Sequence, residues 1–364
     1  DLVRTARDAT VDQPGIAHGG GHQRQVVLHG RQDDRRAVAA QATFRPTAIT
    51  VAAAPNRGIS TAKNARRLPG TVVRREGEAA TGDAAADEAY DGFGATWALF
   101  HDVYGRNSID GAGMTLAGTV HYDKGYDNAF WNGERMVFGD GDGEIFGRFT
   151  ASLEVIGHEL THGVTESTAG LIYQGQPGAL NEHVSDVFGV LVKQHSLGQD
   201  ATTADWLVGA DLLLPGVAGV AIRSMISPGT AYDDPRLGKD PQPDHMSDFV
   251  TTSDDNGGVH INSGIPNRAF ALAARAIGGQ AWTAAGQIWF DVLTGADITA
   301  RTDFATFARL TVAAAAARFG SDSAQHDAVR DGWVTVGVQL DAQVDAAPSE
   351  PPAGADAELL LRRT

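Results

Sequence analysis

Two histidines four residues apart, with a glutamate directly after the first, stand at His158-Glu159-Leu160-Thr161-His162. On a helix, positions four apart lie on one face, so both imidazoles can reach a single metal ion. Glu159 flanks the same face, where a carboxylate can take a proton from a water activated at the metal. The pentapeptide by itself also fits a helix carrying two surface histidines. A catalytic zinc takes three protein ligands and keeps one position open. A third histidine six residues further on is absent, since Thr165 and Thr168 stand where glycine and histidine would be needed. The third ligand should therefore be an acid from a later helix. Asn181-Glu182-His183-Val184-Ser185-Asp186 supplies one: Glu182 and Asp186 are four apart and share a face. Glu182 would bind the metal, and Asp186 would hydrogen-bond a ligand histidine and fix its tautomer. His183 is turned about 100° from Glu182 on a helix and reads as a bystander.

These residues need helices to hold them. ASLEVIGHELTHGVT, ALNEHVSDVFGVLVKQ, NRAFALAARAIG and FARLTVAAAAARFG all place apolar residues three or four apart, which predicts four helices. Upstream, GTVVR and GTVHY predict short strands between turn signals, and a helix is expected around Ala84 to Tyr104. A loop rich in Gly, Pro and Asp runs from about Leu214 to Gly258. The expected organisation is an extension or propeptide remnant over 1–50, a β-rich part over 51–172 ending in the histidine helix, a helical part over 173–340, and a tail over 341–364. The extension is rich in Arg and Asp with glycine punctuation and little periodicity, so disorder is its simplest reading.

Composition narrows the chemistry. With 42% hydrophobic and 20% charged residues, the chain of 364 residues is an ordinary globular sequence. Its formal charge of -16 argues against nucleic acid as a partner. There is no cysteine, which excludes disulfides, thiolate metal sites and cysteine nucleophiles. No apolar run is long enough to span a membrane. The opening DLVRTARDAT has no apolar core, so no leader is visible there.

The run HELTHGVTESTAGLIYQGQPGALNEHVSD resembles, through its whole length, the signature of the thermolysin-like zinc metallopeptidases. DNAFWNGERMVFGDGDG is similar to that family's substrate-edge strand, and DDNGGVHINSGIPNRAF to the segment carrying its second catalytic histidine. The likeness covers roughly 66–340, and the compact form without long insertions looks most similar to the protealysin-like branch. The resemblance implies an α+β, two-lobed fold, with a β-rich N-terminal lobe, a mainly α-helical C-terminal lobe and the zinc site in the cleft between them.

It also implies roles. His158, His162 and Glu182 would bind one zinc ion, and Glu159 would act as general base and then proton donor. His260, oriented by Asp255, would stabilise the developing oxyanion with Tyr173. Asn128 and the backbone at Ala129 would hold an extended substrate, with Trp131 nearby, and Arg223 would bind a substrate carbonyl. Asn181 and Asp186 would support the histidines. Phe146, Phe149, Val155, Val208, Leu212 and Ile222 would surround the residue just after the cut bond, which implies a preference for a bulky hydrophobic side chain there. Taken singly, these residues have duller readings: a loop histidine, a packed aromatic, an ion-pair partner, core side chains.

The chain departs from the family where the larger members bind calcium. Glu154 and Asp205 remain at matching places, but Lys193, Leu207 and Ala210 stand where further acids would be. Calcium needs six to eight oxygens, so that site is expected to be lost, as is another near Leu213 to Val220. Asp140 to Gly143, DGDG, reads as a turn rather than a calcium loop. The expected activity is hydrolysis of internal peptide bonds in protein or peptide substrates by a monomer, secreted as the family mostly is. A catalytically inactive binding protein on the same fold is the alternative, and would require loss of Glu159, a ligand or His260. An aminopeptidase would need a site for a free amino terminus, of which the sequence has no sign. If the chain is processed, the mature start is expected between about Ala52 and Leu68.

Overall fold

A computed structural model describes residues 54–340. The expected extension over 1–50 and tail over 341–364 lie outside the described residues. No helix among those described is long and apolar enough to cross a membrane.

The first part of the chain builds a five-stranded mixed sheet in the order β2-β1-β3-β5-β4. Its strands are β1 (Arg57–Ala65), β2 (Thr71–Arg75), β3 (Leu116–Tyr122), β4 (Ala129–Trp131) and β5 (Met136–Phe138). β1 runs antiparallel to β2 and parallel to β3, while β5 runs parallel to β3 and antiparallel to β4. β4 is thus an edge strand and keeps one side open for pairing. GTVVR and GTVHY fall on β2 and β3 as expected; β1 was not foreseen.

Helix α1 (Ala84–Ala98) covers the sheet and continues as a single wide turn, Leu99–Val103, in place of the uninterrupted helix expected to Tyr104. Asp83 caps its start, accepting from the backbone N–H groups of Ala85 and Ala86. The Phe93 ring presses on Gly118 of β3, where a Cβ would come within 2.8 Å of it. Only glycine allows the helix to sit so low on the sheet.

The two helices that carry the metal motif follow: α2 (Leu153–Ser167) and α3 (Gly175–Leu197). Pro177 lies in the first turn of α3, where its missing N–H has no helical partner to lose. Gly198 ends it in a left-handed conformation at φ 63°. The helices meet backbone to backbone: a Cβ on Gly157 would lie 3.0 Å from Gly189 Cα, and one on Gly189 would lie 2.4 Å from Glu154 O. This close crossing brings the acid of α3 to the histidines of α2.

The remaining helices are α4 (Asp255–Asn262), α5 (Gly264–Ile277), α6 (Ala285–Thr294), α7 (Phe304–Phe319) and α8 (Ala324–Thr335). The expected long loop is not bare. It contains β6 (Leu207–Val208) paired with β7 (Arg223–Ser224), and β8 (Asp233–Asp234) paired with β9 (Gly238–Lys239). One apolar core runs through both parts, from Ile59 in the sheet to Trp289 and Trp333 among the late helices. α3 lies inside it, and positions 178–192 are all buried. Five of these, Asn181, Glu182, His183, Ser185 and Asp186, are polar. Burying such groups is costly unless each finds a partner, and their partners define the site.

Candidate metal centre and active site

His158, His162 and Glu182 each offer a ligand atom to one point. His158 Nε2 lies 3.1 Å from His162 Nε2, 3.4 Å separates it from Glu182 Oε2, and His162 Nε2 is 3.5 Å from Glu182 Oε1. Ligands about 2.0–2.1 Å from a tetrahedral zinc stand roughly 3.3–3.4 Å apart, which is the spacing seen. Both Nδ1 atoms are engaged behind the site: His158 Nδ1 is 2.8 Å from Asp186 Oδ1, and His162 Nδ1 is 2.8 Å from Asn181 Oδ1. Each acceptor takes the Nδ1 proton, which leaves the two Nε2 atoms facing one another as the positions for a shared cation, a proton or a metal ion. Glu182 Oε2 and Glu159 Oε1 are buried with no hydrogen-bond partner, as befits oxygens meant for an ion and for a reacting water. The donor set fits zinc.

The electrostatics agree. Burial works against the charged form of His158, but Asp186 and Glu182 outweigh it and push its pKa to about 9. Burial, with the neighbouring His158, lowers that of His162 against the pull of Glu182 and Glu159. Burial pushes the Glu182 carboxyl up, yet His260, His162 and His158 together hold it well below the usual carboxylate range. The pocket thus keeps a full negative charge on its acid, ready for a cation.

Asp186 is the hub behind the metal ligands. It accepts from His158 Nδ1, from Arg223 through Nε at 2.8 Å and Nη2 at 2.5 Å, and from Asn267 Nδ2 at 2.8 Å. Burial would raise its pKa, but Arg223 and His158 hold it low and ionised. Arg223 is therefore neither a surface ion-pair partner nor free: its guanidinium is buried and forked onto Asp186. Asn181 Nδ2 donates to Leu171 O at 3.2 Å, which turns its carbonyl toward His162, and Ser185 Oγ lies 3.1 Å from His162 Nδ1.

The second group of candidates converges on the same acid. The Tyr173 hydroxyl donates to Glu182 Oε1 and lies 3.0 Å from His260 Nε2. His260 Nδ1 faces Asp255 Oδ1 at 2.5 Å, and its backbone N–H donates to Asp255 Oδ2 at 2.8 Å. The DNGG sequence makes this possible. Asp255, Asn256, Gly257 and Gly258 all take positive φ, at 50°, 50°, 83° and 74°. This left-handed run curls Asp255 back onto His260, and Gly, Asn and Asp are the residues that tolerate it. Burial raises the Tyr173 phenol well above its ordinary pKa, so it keeps its proton to donate.

On the sheet side, Asn128 O accepts from Gly139 N at 2.9 Å, its Oδ1 accepts from Ala129 N at 2.9 Å, and the β4 edge begins there. Trp131 Nε1 donates to Glu166 Oε2 at 3.3 Å, and its ring packs on α2 where Gly163 leaves room. Phe146, Phe149, Val155, Val208, Leu212 and Ile222 are all buried. Val208 pairs with Arg223 across the β6–β7 ribbon, Gly147 N donates to Leu212 O, and the Phe146 and Phe149 rings stand 6.1 Å apart. His183 points away from the metal, as expected of it, but it is fully buried and hydrogen-bonded at both ring nitrogens. Asn267 and Ser185 were not foreseen. Their signal was a cluster of polar residues, interrupted only by Val184, on a helix otherwise apolar, and an asparagine in the first turn of α5.

Asp140 and Asp142 form a turn. Asp142 Oδ1 accepts from the N–H groups of Glu144, Ile145 and Phe146, while Asp140 pairs with His121.

Two family models match the chain: the thermolysin metallopeptidase catalytic domain over 32–166 and the thermolysin metallopeptidase alpha-helical domain over 169–338. An extracellular metalloprotease of Pectobacterium carotovorum subsp. carotovorum is 56% identical, over 78% of this chain and 82% of the relative. Protease PrtS of Photorhabdus sp. (strain Az29) is 53% identical, over 78% of this chain and 77% of the relative. Among solved structures, the precursor of protealysin, a metalloproteinase from Serratia proteamaculans, superposes with a TM-score of 0.78 at 54% identity, covering 86% of this chain and 96% of the other.

Proposed function

Because this chain belongs to the thermolysin metallopeptidase family and is a zinc metalloendopeptidase, we propose that His158, His162 and Glu182 hold its zinc and that Glu159 is its general base. What supports the assignment above all is one observation: two imidazoles locked by Asp186 and Asn181 with their Nε2 atoms converging on a buried, ionised carboxylate. Bound there, zinc supplies Lewis acidity, acidifying water and polarising a carbonyl.

The protein's own groups carry the protons. Glu159 takes a proton from the attacking water and hands it to the leaving amine. Tyr173 and His260 donate hydrogen bonds where the carbonyl oxygen gains charge, and Asp255 holds His260 in place. The substrate backbone lies along the β4 edge beside Asn128, Ala129 and Trp131 as an added strand. Arg223, anchored by Asp186, offers the rest of its guanidinium to a substrate carbonyl. The side chain after the cut bond enters among Phe146, Phe149, Val155, Val208, Leu212 and Ile222.

Calcium has no part in this reading. The enzyme acts outside the cell, as the name of the Pectobacterium relative suggests, and acts there as a monomer. A mature start before Asn56, early in the window from Ala52 to Leu68, is favoured by β1 lying between β2 and β3 and by Asn56 O accepting from Leu116 N.

The decisive comparison is Glu159→Gln against the parent, using an internally quenched peptide blocked at both ends. We expect kcat to fall by about 10²–10⁴-fold at unchanged zinc content. Full activity in the variant would sink the base assignment, and no cleavage of the blocked peptide by the parent would sink endopeptidase action.

A further inference from the structure

Behind the metal centre a chain of hydrogen bonds leads away from the zinc ligands into the aromatic core. Asn267 Nδ2 donates to Asp186 Oδ2 at 2.8 Å, Asn267 Oδ1 lies 2.8 Å from His183 Nδ1, and Trp289 Nε1 donates to His183 Nε2 at 2.8 Å. All four side chains are buried to within 1% of complete. Edge-on contacts with Trp289, Phe307 and Trp333 surround the His183 ring.

The direction of this chain is set at its far end. An indole nitrogen can only donate, so His183 Nε2 must accept and its proton must sit on Nδ1. That proton requires an oxygen opposite, which fixes the Asn267 carbonyl toward His183 and its NH₂ toward Asp186. The reverse amide orientation would set a carbonyl oxygen against an ionised carboxylate. Each group thus has one arrangement only, and the last link is the carboxylate that orients His158.

We propose that His183, through Asn267, is a positioning residue for the zinc centre: the pair Trp289–His183 holds the Asn267 amide so that it pins Asp186 against His158. His183 touches neither metal nor substrate. Its place beside a ligand in sequence is incidental, because its side chain leaves α3 about 100° round from Glu182 and meets the metal site by way of Asn267 on α5. Arg223 supplies the counter-cation that keeps Asp186 ionised, and Asn267 supplies the fourth contact that stops the carboxylate from rotating.

The inference rests on the assignment of His158 as a ligand, and the test separates the two. Zinc affinity of the full chain is measured by competition with a chromophoric chelator, and the cobalt-substituted protein is examined by visible absorption. Changing groups that hydrogen-bond a ligand directly weakens metal binding about 10–100-fold, so a change two bonds further out should cost less, about 3–10-fold. That is the loss expected for His183→Leu, with displaced cobalt bands. His183→Gln, which can both donate to Asn267 and accept from Trp289, should restore affinity and spectrum. Should His183→Leu fail to fold, Trp289→Phe removes only the terminal donor and should shift both readouts in the same direction. Parent-like zinc affinity and cobalt bands in these variants, with only a lowered melting temperature, would reduce His183 to a core residue and overturn the proposal. A parent that takes up no zinc would overturn the ligand assignment beneath it.

Discussion

Lys193 reaches across from α3 to place its ammonium 3.0 Å from Asp205 Oδ2, with Glu154 Oε1 at 3.6 Å on its other side. Glu154 is buried and its Oε2 has no partner, so the lysine and the Gly209 N–H at 3.0 Å are what offset the cost of its charge. Burial lowers the pKa of Lys193, but the carboxylates of Glu154 and Asp205 more than restore it, so the ammonium stays charged. A tethered cation stands between the two acids that the resemblance assigned to a calcium site.

Thermal stability should accordingly be indifferent to calcium. A calcium-selective chelator is expected to move the melting temperature by less than about 2 °C, no more than the loss of about 1 kcal/mol would produce in a domain of this size. Lys193→Ala should destabilise by about 2–3 kcal/mol, because it leaves Glu154 buried without its cation. Urea unfolding of both proteins checks the second figure. A large fall in melting temperature of the parent with chelator would contradict the reading.

Tyr173 and His260 present a different test, because both now contact Glu182 Oε1 rather than a substrate. If they serve the developing oxyanion, their value appears only during reaction. Tyr173→Phe and His260→Ala should each lower kcat by about 100-fold, with KM changed little and zinc content intact. Zinc loss in either variant would mean that it acts on the ligand instead.

Specificity follows from a set of side chains that are wholly apolar. Burying a Leu or Phe side chain among Phe146, Phe149, Val155, Val208, Leu212 and Ile222 is worth roughly 1.5–3 kcal/mol, or a preference of about 10–150-fold over a small residue. Digestion of a peptide library reads this as the residue following each cut. Cleavage mainly before Lys or Asp would refute it. The ribbon bearing Val208 is tied to α2 by the Glu154–Gly209 bond, so Lys193→Ala should also loosen this preference.

The candidate site was legible because its spacing obeys helix geometry: His158 and His162 one turn apart, Glu182 and its supporting Asp186 one turn apart. The long bonds across the fold were not. Nothing in the sequence near His183 reveals that Trp289 lies behind it, 106 positions away. Strand β1 escaped notice because it is interior yet carries Ser60 and Thr61 among its buried residues, which removes the apolar alternation. Helix α8 has few buried side chains, Val329 and Trp333 chief among them, and too few apolar positions to show a period. The wide turn at Leu99 to Val103 left no mark either, since its residues suit an ordinary helix. What spacing cannot encode is which distant surfaces meet, and Gly157 and Gly189 acquire their meaning only from that meeting.

His121 supplies the pH dependence that can be worked out without the metal site. Its ring lies between Asp83 Oδ2 at 2.9 Å and Asp140 Oδ2 at 2.8 Å, joining the cap of α1 to the loop that leads to Phe146. Burial lowers its pKa, but Asp140 and Asp83 raise it further, to a net value above 6.5. A raised histidine stabilises the fold fully below its unfolded value of about 6.5, and the contribution disappears as pH rises through the folded value. Burial raises the pKa of Asp83 while His121 and the Ala86 and Ala85 N–H groups lower it more, so it ends below 3.8. Its share is present above that value and is lost as pH falls. The contact is therefore strongest between about pH 4 and 6, and part exposure limits it to about 1 kcal/mol. His121→Gln should cost that amount at pH 5.5 and progressively less above neutrality. Urea unfolding of parent and variant at pH 5.5, 7 and 8.5 measures the difference, and a cost that grows with pH would reverse the assignment of the charged form.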